Sequence, residues 1–188
     1  MSNYYQETHV GWYPNAVPRQ QKKWLNFLSL RFGAIISTIA PIICFAWAYT
    51  QHQEGVVSTD GLGASWSQTN LGTASYAFTW STALFLVVLI FNCAVPPGFI
   101  IVFDSIAWIA QLITICFYMQ ELGGWHAGGY EFSKNHTHEE LYGAEVFGCS
   151  MMLLGIVFNL ILMIVASRAC HVQRKVKKQT TYPKVEDA

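Results

Sequence analysis

Long apolar segments alternate with shorter polar ones along the 188 residues of this chain. Four of them carry almost no charge, and they cover residues 27–49, 74–95, 99–119 and 143–166. Each is about as long as the ~20 residues that a helix needs to cross a hydrocarbon core about 30 Å thick. Buried helices of water-soluble domains seldom repeat that length four times in one chain. The pattern therefore predicts an all-α membrane protein, folded as one bundle of four transmembrane helices.

The net charge of zero conceals a sorting of charges along the chain. Every lysine and arginine except Lys134 lies before or at the start of the first span, or after the fourth. Acidic residues predominate in the connecting segments 51–73 and 120–142. Because cytosolic flanks are enriched in basic residues, we expect both termini in the cytosol and these two segments outside. The chain then divides into a cytosolic N-terminal tail (1–26), a transmembrane domain (27–166) and a basic cytosolic C-terminal tail (167–188).

Small residues form a stripe along one face of the first span, at intervals of three or four. The members are Gly33, Ser37, Pro41, Cys44 and Ala48, with a partial counterpart on the fourth span at Ala144, Gly148 and Gly155. In lipid, small residues allow two helices to approach closely. The stripe predicts packing inside the bundle, with dimerisation as the alternative. The Val-Pro-Pro-Gly connection at 95–98 is so short that the second and third spans must form an antiparallel hairpin.

Two charged residues lie about one turn inside predicted spans, Arg31 in the first and Asp104 in the third. Both spans begin on the same side, so the two charges lie at similar depth. A lone charge at the bilayer centre costs about 2.5–3.5 kcal/mol, and less near the edge. We therefore predict an intramembrane ion pair between Arg31 and Asp104. Gln111 is grouped with this site, because it lies on the same face of the third span. The alternative is that Arg31 reaches lipid phosphates while Asp104 faces cytosolic water.

The outer segment 135–140 reads Asn-His-Thr-His-Glu-Glu and carries two signals. Its first three residues match an N-glycosylation acceptor on the predicted outer side, which makes Asn135 a candidate site. His136 and His138, with Glu139, also suggest metal ligands. Alternating histidines on a loop lack the rigid geometry of a metal site, so we expect solvated side chains and no bound metal.

The C-terminal tail carries a cluster of basic residues, Arg174, Lys175, Lys177 and Lys178. Such clusters attract anionic headgroups of the cytosolic leaflet, and they also set topology.

Two other patterns mark the cytosolic side. Cys93 and Cys170 lie near the predicted boundary and are candidates for S-palmitoylation, or else pack as small apolar residues. Tyr182 and Val185 fit the tyrosine-x-x-apolar pattern of endocytic sorting signals, a pattern short enough to arise by chance.

Several functional classes find no support in the sequence. Neither predicted outer loop contains a cysteine, so a loop disulfide like those of claudins and tetraspanins is excluded. The middles of the spans carry no charge, which does not favour a carrier. No nucleophile and base, phosphate-binding glycine loop or carboxylate pair is present. We expect no enzyme, no cofactor and no nucleic-acid partner.

The layout resembles that of the MARVEL family of four-span proteins, in particular its small fungal members. The resemblance covers residues 24–174 and rests on four features: the short cytosolic turn, Arg31 in the first span, the Asp-Ser-Ile-Ala-Trp opening of the third span at 104–108, and the basic tail. It implies lipid microdomain association, membrane apposition or vesicle traffic, without catalysis.

The sequence thus favours a non-enzymatic organiser of membranes in the plasma membrane or in endomembrane vesicles. Its expected partners are membrane lipids, within a homo-oligomer or a larger membrane complex. The alternative is a small accessory subunit or an oligomeric channel, which would need a polar stripe along its pore.

Overall fold

A computed structural model describes residues 27–55, 61–90, 95–127 and 136–181, with side chains over 27–55, 61–90, 95–124 and 139–171. It contains four helices: α1 Ser29–Gln53, α2 Leu62–Leu89, α3 Pro97–Ala127 and α4 His136–Thr181. No strand occurs in these ranges. All four helices are long and apolar enough to cross a membrane, over Ser29–Gln53, Leu62–Leu89, Pro97–Gly124 and Glu139–His171. The predicted class, an all-α four-helix membrane bundle, is confirmed; the compartment of the termini stays a prediction.

The helices form an antiparallel ring in which each packs against two neighbours, α1 on α2 and α4, and α3 on α2 and α4. The basic end of the bundle is the end at which α1 and α3 begin, and the opposite end is where they finish. An apolar cluster around Leu84, Ile100 and Leu162 fills the basic end. A second one, around Phe45 and Met152, fills the opposite end.

The outward surface of the bundle is apolar. Large hydrophobic side chains on it are roughly half exposed or more, as at Ile43, Val102, Ile113, Phe147 and Val157. A surface of this kind suits contact with lipid chains, because hydrocarbon offers polar groups no partner.

The bounds of α2 differ from the predicted second span, 74–95. The helix begins at Leu62 and ends at Leu89, so the prediction started and finished too late. The cause is the polar segment 62–73, in which Ser67 and Asn70 are buried within the bundle instead of ending the span. Both connections are shorter than predicted, because α1 extends to Gln53, α3 to Ala127 and α4 starts at His136. Between α1 and α2, Gly55 and Gly61 adopt φ of 75° and 81°, which glycine tolerates best.

The small-residue stripe of α1 packs against α4. A Cβ added to Gly148 would lie 3.0 Å from Cys44 Cβ, and one added to Gly155 would lie 3.2 Å from Ser37 Oγ. A Cβ added to Gly33 would lie 2.9 Å from Cζ of the Phe158 ring. The stripe therefore serves packing inside the bundle, and the alternative of dimerisation through this face is contradicted by its burial against α4.

Candidate functional site

A buried charged cluster lies near the basic end. Arg31 Nη2 and Asp104 Oδ2 are 2.5 Å apart, and both side chains are fully buried. Trp80 Nε1 donates a hydrogen bond of 2.7 Å to the other carboxylate oxygen. The Trp80 ring stacks on Phe103 at 4.5 Å, and the Arg31 guanidinium lies 5.5 Å from the ring centroid of Phe27. The structure thus brings together the two charges that their equal depth in the sequence predicted to pair.

This ion pair crosses the interior of the ring, because α1 and α3 are not neighbours. Neither charge reaches lipid or water, which removes the alternative in which the two act separately. A buried pair of this kind is weak evidence of net stability, yet removal of one partner costs about 3–5 kcal/mol because the other charge is left alone. Trp80 on α2 adds a third helix to the cluster. The ion pair and the hydrogen bond from Trp80 therefore fix the depths of α1, α2 and α3 relative to one another.

A second polar cluster lies near the opposite end and takes one side chain from each helix. Glu145 Oε1 of α4 accepts a hydrogen bond of 2.7 Å from the Tyr118 hydroxyl of α3 and lies 2.7 Å from His52 Nε2 of α1. Ser67 Oγ of α2 is 3.3 Å from the Tyr118 hydroxyl. The edge of one ring meets the face of the other where Tyr118 packs against Phe45 at 5.3 Å, which orients the phenol. All four polar side chains are buried.

The two clusters are separated by about the thickness of a hydrocarbon core. From Arg31 to His52 along α1 the rise is about 30 Å at 1.5 Å per residue. The clusters therefore lie near the two membrane boundaries, where buried charge is least costly.

Amides and hydroxyls occupy the interior between the two clusters. Asn159 Nδ2 donates to Gln111 Oε1 at 3.2 Å, and Thr73 Oγ1 lies 3.3 Å from Thr114 Oγ1. Asn70 is fully buried on the same face of α2, between Thr73 and Ser67. We call Asn70, Thr73, Gln111, Thr114 and Asn159 the polar column.

The prediction that grouped Gln111 with the ion pair needs correction. Gln111 is fully buried, but among the described residues its side chain bonds to Asn159 of α4 and not to Arg31 or Asp104. Seven residues past Asp104 it lies about two turns deeper, out of reach of the pair. Side chains from three helices, α2, α3 and α4, combine into this buried column, which was not predicted from the sequence.

The other predicted sites fall at or beyond the edge of the described structure. Cys170 is half-buried near the end of the α4 span. The cluster Arg174, Lys175, Lys177 and Lys178 lies within α4, so the predicted tail begins as helix. Asn135, Cys93, Tyr182 and Val185 lie outside the described residues.

Sequence reasoning missed His52, Trp80, Tyr118, Glu145 and Asn70 as members of buried clusters. A signal was present on α3, where Asp104, Gln111, Thr114 and Tyr118 recur at helical spacing on one face. It was less visible on α1 and α4, because His52 and Glu145 are single polar residues close to predicted span ends. His52 and Glu145 contact each other although they lie 93 positions apart in the chain, and only the fold brings them together.

A shallow groove of about 240 Å³ lies on the surface between α3 and α4. It is lined by Met119, Leu122, Tyr142, Val146 and Leu153, among others. Among the residues that the structure describes, no three His, Cys, Asp or Glu side chains converge as metal ligands.

The chain matches no family model, no curated protein and no solved structure. The resemblance to the MARVEL family therefore stays a prediction from the sequence.

Proposed function

We propose that this chain is a non-enzymatic integral membrane protein that organises membranes, through lipid microdomains, membrane apposition or vesicle traffic. The observation that supports this is the burial of Arg31, Asp104 and Glu145, together with the amides Gln111 and Asn159, inside the bundle. These side chains bond to groups on other helices, while the outward surface carries many large apolar side chains. The bundle therefore meets its surroundings in the bilayer mainly through lipid contacts.

The basic segment of α4 gives the bundle a second contact with lipid. The helix α4 continues past His171 to Thr181. The spacing of residues 174, 175, 177 and 178 puts these four positions on one side of that helix. Each basic residue near an anionic surface contributes about 1 kcal/mol of attraction, which salt screens beyond ~10 Å.

The MARVEL resemblance agrees with this proposal, and it suggests the plasma membrane or endomembrane vesicles as the location. Lateral association does not depend on the stripe of α1, since that stripe packs on α4. Contacts with other copies or with a larger complex would instead use the apolar outward surface.

The proposal is tested by lipid clustering in vesicles that contain a self-quenching fluorescent anionic lipid. The purified protein should cluster this lipid, and a variant with Arg174, Lys175, Lys177 and Lys178 replaced by Gln should lose most of that effect. A matched control exchanges Arg and Lys at the same four positions and so preserves the charge; it should behave as the unmodified chain does. Equal clustering by the Gln variant, or loss of clustering in the control, would contradict the proposal.

The polar column favours a second candidate function, a channel. A conducting path needs polar groups along its length, and these residues supply them between the two clusters. Purified protein in liposomes would then pass ions, and Asp104→Asn or Gln111→Leu would abolish the conductance. Under the organiser proposal the same liposomes stay tight to ions.

A further inference from the structure

Four side-chain atoms of the polar column have no hydrogen-bond partner among the described residues. They are Nδ2 and Oδ1 of Asn70, Nε2 of Gln111 and Oδ1 of Asn159. All three side chains are at most 1% exposed. Lipid cannot supply a partner for them, because hydrocarbon has neither donors nor acceptors.

The unpartnered atoms of Gln111 and Asn159 are chemically complementary. These two amides share one hydrogen bond, from Asn159 Nδ2 to Gln111 Oε1 at 3.2 Å. The remaining donor is on Gln111 and the remaining acceptor is on Asn159, and they are not bonded directly. One water molecule can accept from the first and donate to the second.

The position of Asn70 follows from the contacts between α2 and α3. Thr73 meets Thr114, and Ser67 meets Tyr118, so Asn70 lies at a depth between these two contacts. Its face of α2 is turned into the bundle, about one turn beyond the depth of Gln111. Its amide offers both a donor and an acceptor to the interior.

We propose that the polar column is a binding site for water, held by Asn70, Gln111 and Asn159. Bound water in proteins occupies polar sites and makes two to four hydrogen bonds to groups that the protein leaves unsatisfied. The three amides provide such groups within the bundle, at depths between the Arg31–Asp104 cluster and the Glu145 cluster. This site is independent of the proposed organiser function, since hydration of the interior does not require conduction.

Magnetisation transfer from water to side-chain amide protons tests the site, in ¹⁵N-labelled protein in lipid nanodiscs. Transfer should reach the side-chain amides of Asn70 and Gln111. The exposed side chain of Gln53 is the positive control, and the backbone amide of buried Ala77 is the negative control. Transfer to Gln53 without transfer to Asn70 and Gln111 would overturn the proposal.

The sign of a stability change provides a second test. If Asn70 binds water, Asn70→Leu removes hydrogen bonds and should lower the folded-to-unfolded ratio in detergent about tenfold. If Asn70 is dry and unsatisfied, the same substitution removes a penalty, and the ratio should rise. An unchanged or increased ratio would therefore overturn the proposal. Should Asn70→Leu fail to fold, the magnetisation transfer in the unmodified protein decides.

Discussion

Individual buried polar residues decide how this bundle is held together. In a soluble core, apolar burial is the main driving force, but lipid chains are as apolar as a leucine side chain. Helix association in a membrane depends more on close packing and on hydrogen bonds between helices. Arg31, Asp104 and Glu145 are each fully buried, and each contacts at least one other helix.

The first prediction concerns the Arg31–Asp104 pair. Arg31→Ala and Asp104→Ala should each lower the free energy of unfolding by about 3–5 kcal/mol, because each leaves the other charge buried and unpaired. The double substitution should cost clearly less than the sum of the two. Denaturant unfolding in detergent measures all three variants.

Arg168→Ala is the control for this cycle, since Arg168 is exposed near the end of the α4 span and should change stability little. Strict additivity of the two single substitutions would show that Arg31 and Asp104 do not act on each other.

Among the helices, α1 is the most specialised element. Its stripe of small residues faces α4, and its two ends supply Arg31 and His52 to the two polar clusters. The small side chains permit the close approach of α1 to α4 that the contacts at Gly148 and Gly155 record. The same helix therefore contributes both to close packing with α4 and to the two polar clusters.

The second prediction tests this helix contact. Gly148→Ala should lower the free energy of unfolding by about 1–3 kcal/mol, because the added methyl meets Cys44 Cβ at 3.0 Å, and each Cβ is attached directly to a helix backbone that resists displacement. Thermal unfolding in detergent provides the measurement.

Gly72→Ala is the matched control, since nothing lies within 4 Å of the Cβ it would add. This change should be neutral or stabilising by up to about 1 kcal/mol, because alanine favours the helix. Equal effects at the two glycines would show that α1 and α4 do not pack as closely as described.

At the scale of the whole molecule, the two polar clusters and the polar column lie inside a bundle whose outward surface is apolar. The clusters lie about 30 Å apart along α1, close to the hydrocarbon thickness, so the bundle has a defined position along the membrane normal. The basic segment of α4 continues this helix to Thr181 at the basic end of the bundle.

The third prediction concerns orientation. Both termini should be cytosolic, because nearly all basic residues lie at the end where α1 begins and α4 finishes. Tags at either terminus should resist protease in sealed cells, while a tag inserted next to Gly61 should be cleaved. A C-terminal tag that is cleaved in sealed cells would reverse the topology.

The sequence alone determined the class, the number of spans and the equal depth of Arg31 and Asp104. Segment length, hydropathy and the distribution of charge are properties of local sequence, so they can be read without knowing which helices pack together. The start of α2 was not predicted, because the segment 62–73 is polar and only the folded bundle shows that its Ser67 and Asn70 are buried.

Only the tertiary structure decided which side chains meet. The rotation and tilt of each helix depend on all of its neighbours, and no single helix encodes them. The sequence therefore placed Gln111 with the ion pair, whereas the packed bundle joins it to Asn159. It likewise gave no sign that His52 and Tyr118 converge on Glu145, because these residues come from three helices that only the ring of four brings to one depth.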